Sequence, residues 1–328
     1  MKYLNKLFAV MIVIAMLISV PVGCNSKNSR ANGGKISIVT TIFPEYDWVR
    51  QIVGEQSDNV EITMLLNNGV DLHSYQPTAD DILKISTCDM FVYVGGESDK
   101  WVHDALKESV NKNMVVINLL DVLGESVKEE EVVDGMQADE EDEEEVEEEP
   151  EYDEHVWLSL KNSSVLCNYI AGQLGGIDEA HKEIYTANAN AYTEKLNSLD
   201  KEFHEAVEAA SVKTVLFGDR FPFRYLVDDY GLSYYAAFVG CSAETEASFE
   251  TIVFLANKAD ELGLKAILQI ESADGSIART IRDNTKTKNQ AILTMDSMQS
   301  TTSEDVSKGA TYLSAMENNL SVLKDALR

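Results

Sequence analysis

Cysteine is scarce in this chain, with four in 328 residues, and no two of them form a CxxC pair. This spacing excludes a zinc ribbon and a dithiol redox motif, both of which need paired cysteines. Three of the four, Cys88, Cys167 and Cys241, are widely separated in the body of the chain. We interpret them as buried thiols, and one disulfide with one thiol left over is the alternative.

Positive charge is also in short supply, because 27 Lys and Arg residues are outnumbered by 56 Asp and Glu residues, for a formal net charge of −29. Nucleic-acid binding depends on Lys and Arg at the phosphates, so this balance argues against a nucleic-acid partner. A single run from Glu129 to Glu154 holds seventeen of the acids, and without them the net charge is still −12. A cationic partner fits such a chain.

Long apolar runs are missing except at the amino terminus, where two lysines precede an apolar stretch over residues 7–20. This stretch is too short for a membrane-spanning helix and has the form of a secretory signal peptide. Cys24 directly follows Val-Gly, which resembles a bacterial lipobox whose cysteine is lipidated. We predict a lipoprotein signal peptide over 1–24 with lipidated Cys24, a flexible tether over 25–34, and a lipid anchor on the extracytoplasmic face of the cell membrane. Cleavage and secretion without a lipid is the alternative.

Glycine and proline are absent from the segment between Asp178 and Ala210. Apolar residues recur there at helical spacing and predict one helix of roughly 45 Å, at about 1.5 Å per residue. Its expected buried stripe consists of Ile184, Ala187, Ala191, Leu196, Leu199, Phe203 and Val207.

On either side of this helix, β-rich apolar runs alternate with amphipathic stretches, four units before Gly176 and four after Ser211. Such alternation is typical of parallel sheets flanked by helices. We predict an α/β fold of two lobes, each a four-stranded mainly parallel sheet, joined by a single long helix. The predicted divisions are an N-terminal lobe at 35–176 with an acidic loop at 120–154, a linking helix at 177–210 and a C-terminal lobe at 211–328.

Polar side chains follow several of the predicted strands, at the sheet edge where open parallel sheets bind ligands. His73 follows the second strand, and His155 follows the fourth strand and the acid run. Asp219, Glu271 and Asp296 each end a strand of the second half. Imidazole nitrogen together with carboxylate oxygen suits zinc, manganese or iron, whereas calcium prefers oxygen alone. The sequence therefore predicts a transition-metal site in the cleft between the lobes, and an ordinary loop or helix-cap role is the alternative for each residue.

Four segments resemble the zinc- and manganese-binding lipoproteins that feed ABC importers. "DLHSYQPTADD" is similar to the segment that supplies this family's first metal ligand, which maps onto His73. "DEHVWLSLKN" resembles the segment of the second histidine ligand, which maps onto His155, and "AILTMDSM" resembles the segment whose aspartate ligand maps onto Asp296. "YLSAMENNLSVLKDAL" is similar to the closing helix, and the resemblance runs from about Lys35 to the end.

The third ligand departs from the family's pattern. The family usually has His or Glu ten residues before the Tyr of a Tyr-Gly-Leu segment, and here that position is Arg220, ten residues before Tyr230. A guanidinium has no lone pair for a metal. Asp219 replaces the missing ligand if the loop shifts by one residue, and the other candidates are Glu271, Glu244, Glu246 or a water.

The resemblance implies a solute-binding lipoprotein that holds a divalent transition metal, zinc first and manganese next, and delivers it to an ABC permease without being an enzyme. Two other classes stay open, a cell-adhesion or scaffold lipoprotein that keeps the fold and a metal-dependent hydrolase, although no HExxH or nucleophile motif is present. We expect residues 129–149 to be mobile and to gather cations, with a solvated spacer as the alternative.

Overall fold

The computed structural model describes residues 34–137, 151–242 and 246–328. The predicted signal peptide over 1–24, the lipidation candidate Cys24 and the tether up to residue 33 lie outside these ranges. Within the described ranges, no helix combines the length and the apolar character that crossing a membrane requires.

The first half of the chain builds a sheet of four parallel strands in the spatial order β2-β1-β3-β4. Its strands are rich in β-branched and aromatic residues, which pack well on a pleated surface between helices. The strands are β1 (Ile36–Thr40), β2 (Val60–Met64), β3 (Met90–Tyr93) and β4 (Val115–Asn118). The helices of this half are α1 (Phe43–Val53), α2 (Ala79–Thr87), α3 (Trp101–Lys107), α4 (Leu119–Leu123) and α5 (Leu160–Ile177).

The second half repeats this architecture, with four parallel strands in the order β6-β5-β7-β8. The strands are β5 (Thr214–Phe221), β6 (Ser233–Val239), β7 (Ala266–Ile270) and β8 (Ala291–Met295). The helices after the linking helix are α7 (Arg224–Tyr230), α8 (Phe249–Leu262), α9 (Ser276–Asn284), α10 (Ser303–Ser307) and α11 (Tyr312–Ala326). The predicted α/β fold with two four-stranded parallel sheets is confirmed.

A single helix of 28 residues, α6 (Lys182–Ala209), connects the two sheets. It begins four residues later than Asp178, because the Asp178 carboxylate accepts hydrogen bonds from His181 Nδ1 at 2.7 Å and from the Tyr185 hydroxyl at 2.8 Å and closes a turn there. The buried stripe matches the prediction only in its second half: Ile184 is exposed, and the first half instead buries Tyr185, Ala189 and Tyr192.

The two sheets share one apolar core. The main cluster of buried side chains continues from Ile38 and Phe91 of the first sheet to Phe217 and Leu268 of the second. A smaller cluster lies between the second sheet and α8 and α9. Residues 35–328 accordingly form one compact unit, and the lobe boundaries at 176 and 211 stay a prediction about how the chain is divided.

Two boundaries differ from the expected ones for local reasons. The apolar and polar pattern over 303–326 predicts one helix, but this stretch is interrupted after α10, where Gly309 adopts φ 100°, and α11 restarts with Thr311 as its N-cap. The segment predicted as an acidic loop at 120–154 begins inside α4, which Asn118 caps by accepting the backbone N–H of Asp121. A side-chain oxygen before the first turn satisfies a free backbone donor and so favours both helix starts.

Candidate metal centre

His73 lies in a single 3₁₀ turn, Leu72–Ser74, after β2. The turn forms because the Asp71 carboxylate accepts the backbone N–H of His73 at 3.0 Å. The imidazole is half-buried, and its Nδ1 lies 2.7 Å from Ser98 Oγ and 3.5 Å from Glu154 Oε2. These contacts orient the ring so that Nε2 points away from them, into the space between the sheets.

His155 comes from the other side of that space and is completely buried. Asp153 Oδ1 accepts hydrogen bonds from both the backbone N–H and Nδ1 of His155, each at 2.9 Å. The ring of Trp157, 5.3 Å away between centroids, packs beside the imidazole. Trp157 is itself buried and donates from Nε1 to the carbonyl oxygen of Ser297 at 2.8 Å. The abrupt change from acids to His-Val-Trp-Leu thus marks the point where the chain enters the core.

The two histidines face each other, with their Nε2 atoms 3.2 Å apart. Two nitrogens bound to one tetrahedral zinc at about 2.05 Å each would lie about 3.3 Å apart, so the observed separation fits a shared ion. With Nδ1 of His73 against the Ser98 hydroxyl and Nδ1 of His155 against the Asp153 carboxylate, Nε2 is in each ring the nitrogen that faces the other ring. Such outer hydrogen bonds are the usual way in which proteins fix the tautomer of a metal-binding histidine.

The protonation of the pair follows from its surroundings. Burial, followed by the positive charge of His155, lowers the pKa of His73 to about 3. Burial acts in the same direction on His155, but the carboxylates of Asp153, Glu154 and Glu130 outweigh it and raise the pKa of His155. Of the two histidines, His155 therefore holds a proton more tightly than His73, and a metal ion competes with that proton for the ring nitrogen.

The predicted carboxylate ligands are not grouped with the histidines. Asp219 lies inside β5, because the strand continues past it, and its two oxygens accept the backbone N–H groups of Arg220 at 2.8 Å and Ile270 at 3.1 Å. Asp296 follows β8 and accepts the backbone N–H of Met298 at 2.8 Å. Burial and the charge of Glu271 raise the pKa of Asp296 to about 6.

Glu271 follows β7 and binds the loop after β8 rather than the histidine pair. Its oxygens accept the backbone N–H of Ser297 at 2.8 Å and the Ser297 hydroxyl at 2.9 Å, and further hydrogen bonds come from Gln299 and Ser300. Glu246 is exposed, and Glu244 lies outside the described residues.

Arg220 crosses between the two halves of the chain. Its Nη2 forms an ion pair with Asp71 Oδ2 at 2.7 Å, and its Nη1 donates to the carbonyl oxygen of Ser242 at 3.4 Å. It lies beside a cavity of about 400 Å³ that residues of both halves line. The guanidinium therefore connects the loop of Asp71 with the loop of Ser242 and does not ligate a metal.

Cys241 is a member of the site that the sequence does not predict, and it is a partly buried free cysteine. Within the described ranges, one group of three or more metal-ligating side chains converges, and it consists of His73, His155 and Cys241. One ligand atom from each lies within 4.8 Å of the other two. Cys241 follows β6 by two residues, and its place in the group depends on contacts with residues far away in the sequence.

The start of the acid run is ordered, which contradicts the expectation that all of 129–149 is mobile. Glu129 bridges to Tyr152, Gln137 bridges to Phe238 of β6, and Glu130 Oε1 accepts the backbone N–H of Cys241 at 3.2 Å. The expectation is wrong for residues 129–137, and residues 138–150 lie outside the described part of the chain.

Comparison with known proteins identifies similar sequences and structures. The chain matches the family model described as zinc-uptake complex component A, periplasmic, over residues 38–326. The zinc-binding lipoprotein AdcA of Streptococcus pneumoniae (strain ATCC BAA-255 / R6) is 32% identical over 298 residues, which cover 90% of this chain and 57% of AdcA. The high-affinity zinc uptake system protein ZnuA of Bacillus subtilis is 28% identical over 328 residues, or 98% of each chain. Compared with AdcA, which it covers to 57%, this chain spans little more than half of the relative's length.

Solved structures show the same fold. The Zn(II)-bound ZnuA-like domain of S. pneumoniae AdcA superposes with a TM-score of 0.69 at 29% identity, over 90% of this chain and 99% of that one. The metal-dependent lipoprotein YcdH of B. subtilis gives 0.71 at 26% identity, over 90% and 100%. The laminin-binding protein Lmb of Streptococcus agalactiae, described as an adhesin with metal-transporting activity, gives 0.69 at 23% identity over 89% and 100%, which supports the fold alone.

Proposed function

We propose that this chain, which belongs to the family of periplasmic zinc-uptake component A proteins, captures a divalent transition metal outside the cytoplasm and delivers it to an ABC permease. One observation carries the proposal: two imidazole Nε2 atoms converge at 3.2 Å, and each ring is held by a hydrogen bond to its other nitrogen. Proteins of this family act as solute-binding components of transport systems rather than as enzymes.

Zinc is the favoured metal and manganese the alternative. Imidazole nitrogens suit zinc, whereas manganese prefers a site dominated by oxygen. The carboxylates of Asp219, Asp296 and Glu271 already accept backbone N–H groups. Their ligation of the metal stays a prediction, and it requires them to approach the histidine pair, because the converging group among the described residues does not include them.

The proposal also includes a lipid anchor at Cys24 and an ABC permease as the partner. The Val-Gly-Cys24 sequence and the lipoprotein names of relatives such as AdcA support anchoring of the chain on the extracytoplasmic face of the membrane. Partition of the full chain into a detergent phase, compared with Cys24→Ser, tests the anchor. Equal partition of the two proteins into the aqueous phase would contradict it.

Metal titration tests the central claim. The purified chain is stripped with a chelator and titrated with zinc against a competing indicator, and so are its His155→Ala and His103→Ala variants. His103 is exposed on α3, outside the converging group, and serves as the matched control. We expect one tight zinc per chain in the parent and the control, and a large loss in His155→Ala because the site loses a direct ligand. Equal affinity of all three proteins would overturn the assignment.

A further inference from the structure

Cys241 lies at the position from which a third protein ligand would complete the site. Its Sγ and one ring nitrogen each of His73 and His155 all lie within 4.8 Å of one another. A sulfur at about 2.3 Å and a nitrogen at about 2.05 Å from one tetrahedral zinc are separated by about 3.6 Å. Small side-chain rotations therefore bring all three atoms to bonding distance of a single ion.

Close packing and hydrogen bonds fix the backbone on both sides of Cys241. β6 ends at Val239, and Gly240 then passes so close to His155 that a Cβ there would lie 2.9 Å from Cε1 of the imidazole. The next N–H, that of Cys241, donates to Glu130 Oε1 at 3.2 Å. Arg220 holds the following carbonyl oxygen, that of Ser242, at 3.4 Å. Contacts on each side of Cys241 thus fix its approach to the histidine pair.

The neighbouring groups leave Cys241 as the available donor. Arg220 has no lone pair, and Asp219, whose two oxygens accept the backbone N–H groups of Arg220 and Ile270, is not part of the converging group. A second observation points to a missing ligand: Gln299 Oε1 is buried without a hydrogen-bond partner among the described residues, and the Gln299 side chain interacts with His73. A buried unsatisfied oxygen is costly, and a water bound to the metal would satisfy it.

We propose that Cys241 is the third protein ligand of the metal, so that the site is two imidazole nitrogens, one thiolate sulfur and a water. On binding, the thiol S–H bond breaks, its proton leaves to solvent and the sulfur electron pair forms the bond to the metal, with no change of oxidation state. A thiolate is a soft ligand and favours zinc over manganese. The inference rests on the proposed function and narrows it to a sulfur-containing site.

Cobalt(II) replaces zinc as a spectroscopic probe of this sulfur. The stripped chain, Cys241→Ser and Cys167→Ala are titrated with Co(II) under reducing conditions, with Cys167, buried in α5, as the cysteine control. We expect an intense sulfur-to-cobalt charge-transfer band in the near ultraviolet for the parent and for Cys167→Ala. Cys241→Ser should bind without this band, and its zinc affinity should fall at least about 100-fold, beyond the 10–100-fold typical of losing an outer hydrogen-bond partner.

X-ray absorption of the zinc-loaded parent keeps the test independent of any variant that fails to fold. One sulfur at about 2.3 Å from zinc is expected. A zinc-loaded parent with nitrogen and oxygen neighbours only, and no charge-transfer band with cobalt, would overturn the role of Cys241 and leave the proposed function standing. A parent that binds neither metal would overturn the proposed function itself.

Discussion

Gly240→Ala is expected to damage both the fold and the metal centre, because the added methyl group has no room. Its Cβ would lie 2.9 Å from Cε1 and 3.1 Å from Nδ1 of His155, and 3.0 Å from the carbonyl oxygen of Phe221. His155 cannot yield easily, since it is fully buried and Asp153 holds its backbone and its ring. The carbonyl is backbone within β5 and moves only with its strand.

Overpacking of this kind costs about 1–3 kcal/mol. The turn must move by a few tenths of an ångström, which also displaces Cys241 and His155 relative to each other. We therefore expect Gly240→Ala to unfold at lower urea concentration than the parent and to bind zinc more weakly. Urea unfolding followed by circular dichroism, together with a zinc competition titration, measures the two effects.

Gly172→Ala is the matched control. Gly172 is exposed in α5, and a methyl group there meets nothing within 4 Å. Alanine in a helix is more stable than glycine by roughly 0.5–1 kcal/mol, so this variant should be slightly stabilised and keep its zinc affinity. If the two glycine variants behave alike in both assays, the close approach of Gly240 to His155 is wrong.

Three further predictions concern the surroundings of the site. Burial raises the pKa of Glu154 to about 7 from 4.5, so the folded form binds a proton more tightly than the unfolded form. As the pH of the metal-free protein falls from about 7 to 5, the parent should therefore gain stability over Glu154→Gln by about 2 kcal/mol, and a pH-independent difference in urea unfolding would refute this. Trp157→Phe should cost about 1–3 kcal/mol by leaving the buried carbonyl of Ser297 without its donor, and calorimetry showing an unchanged melting temperature would contradict it. Deletion of 139–149 should leave zinc affinity unchanged and slow zinc capture at low salt only, which stopped-flow uptake at two ionic strengths checks; identical rates would make this segment a passive spacer.

The parts of the fold that could be predicted from sequence are those with local causes. Alternating β-rich and helical stretches predicted the two parallel sheets, and the lack of Gly and Pro predicted α6. The first half of the predicted α6 stripe is wrong, because the aromatic side chains of Tyr185 and Tyr192 are buried there while Ile184 is exposed. Tyr185 and Tyr192 are larger and bury more apolar surface, and the Tyr185 hydroxyl donates a hydrogen bond to the Asp178 carboxylate.

The histidines of the site were predictable, whereas its third member was not. His73 and His155 each follow a strand and sit in motifs that resemble a known family. Cys241 joins them through long-range contacts: its neighbour Gly240 lies against His155, 85 residues earlier in the chain, and its N–H meets Glu130, 111 residues earlier. No local pattern carries such a pairing, so only the folded chain brings the thiol to the imidazoles.

Two acids of the run contact the members of the site, which relates the run to the histidine at its end. Glu130, near its beginning, holds the backbone of Cys241, and Asp153, near its end, holds His155 from behind. The carboxylates of Glu130 and Asp153 thus lie beside the centre. A bound divalent ion places positive charge next to these negative groups. The ion pair between Arg220 and Asp71 neutralises one further carboxylate nearby. Removing Glu130 should therefore weaken zinc binding through the position of Cys241, whereas shortening the middle of the run should not.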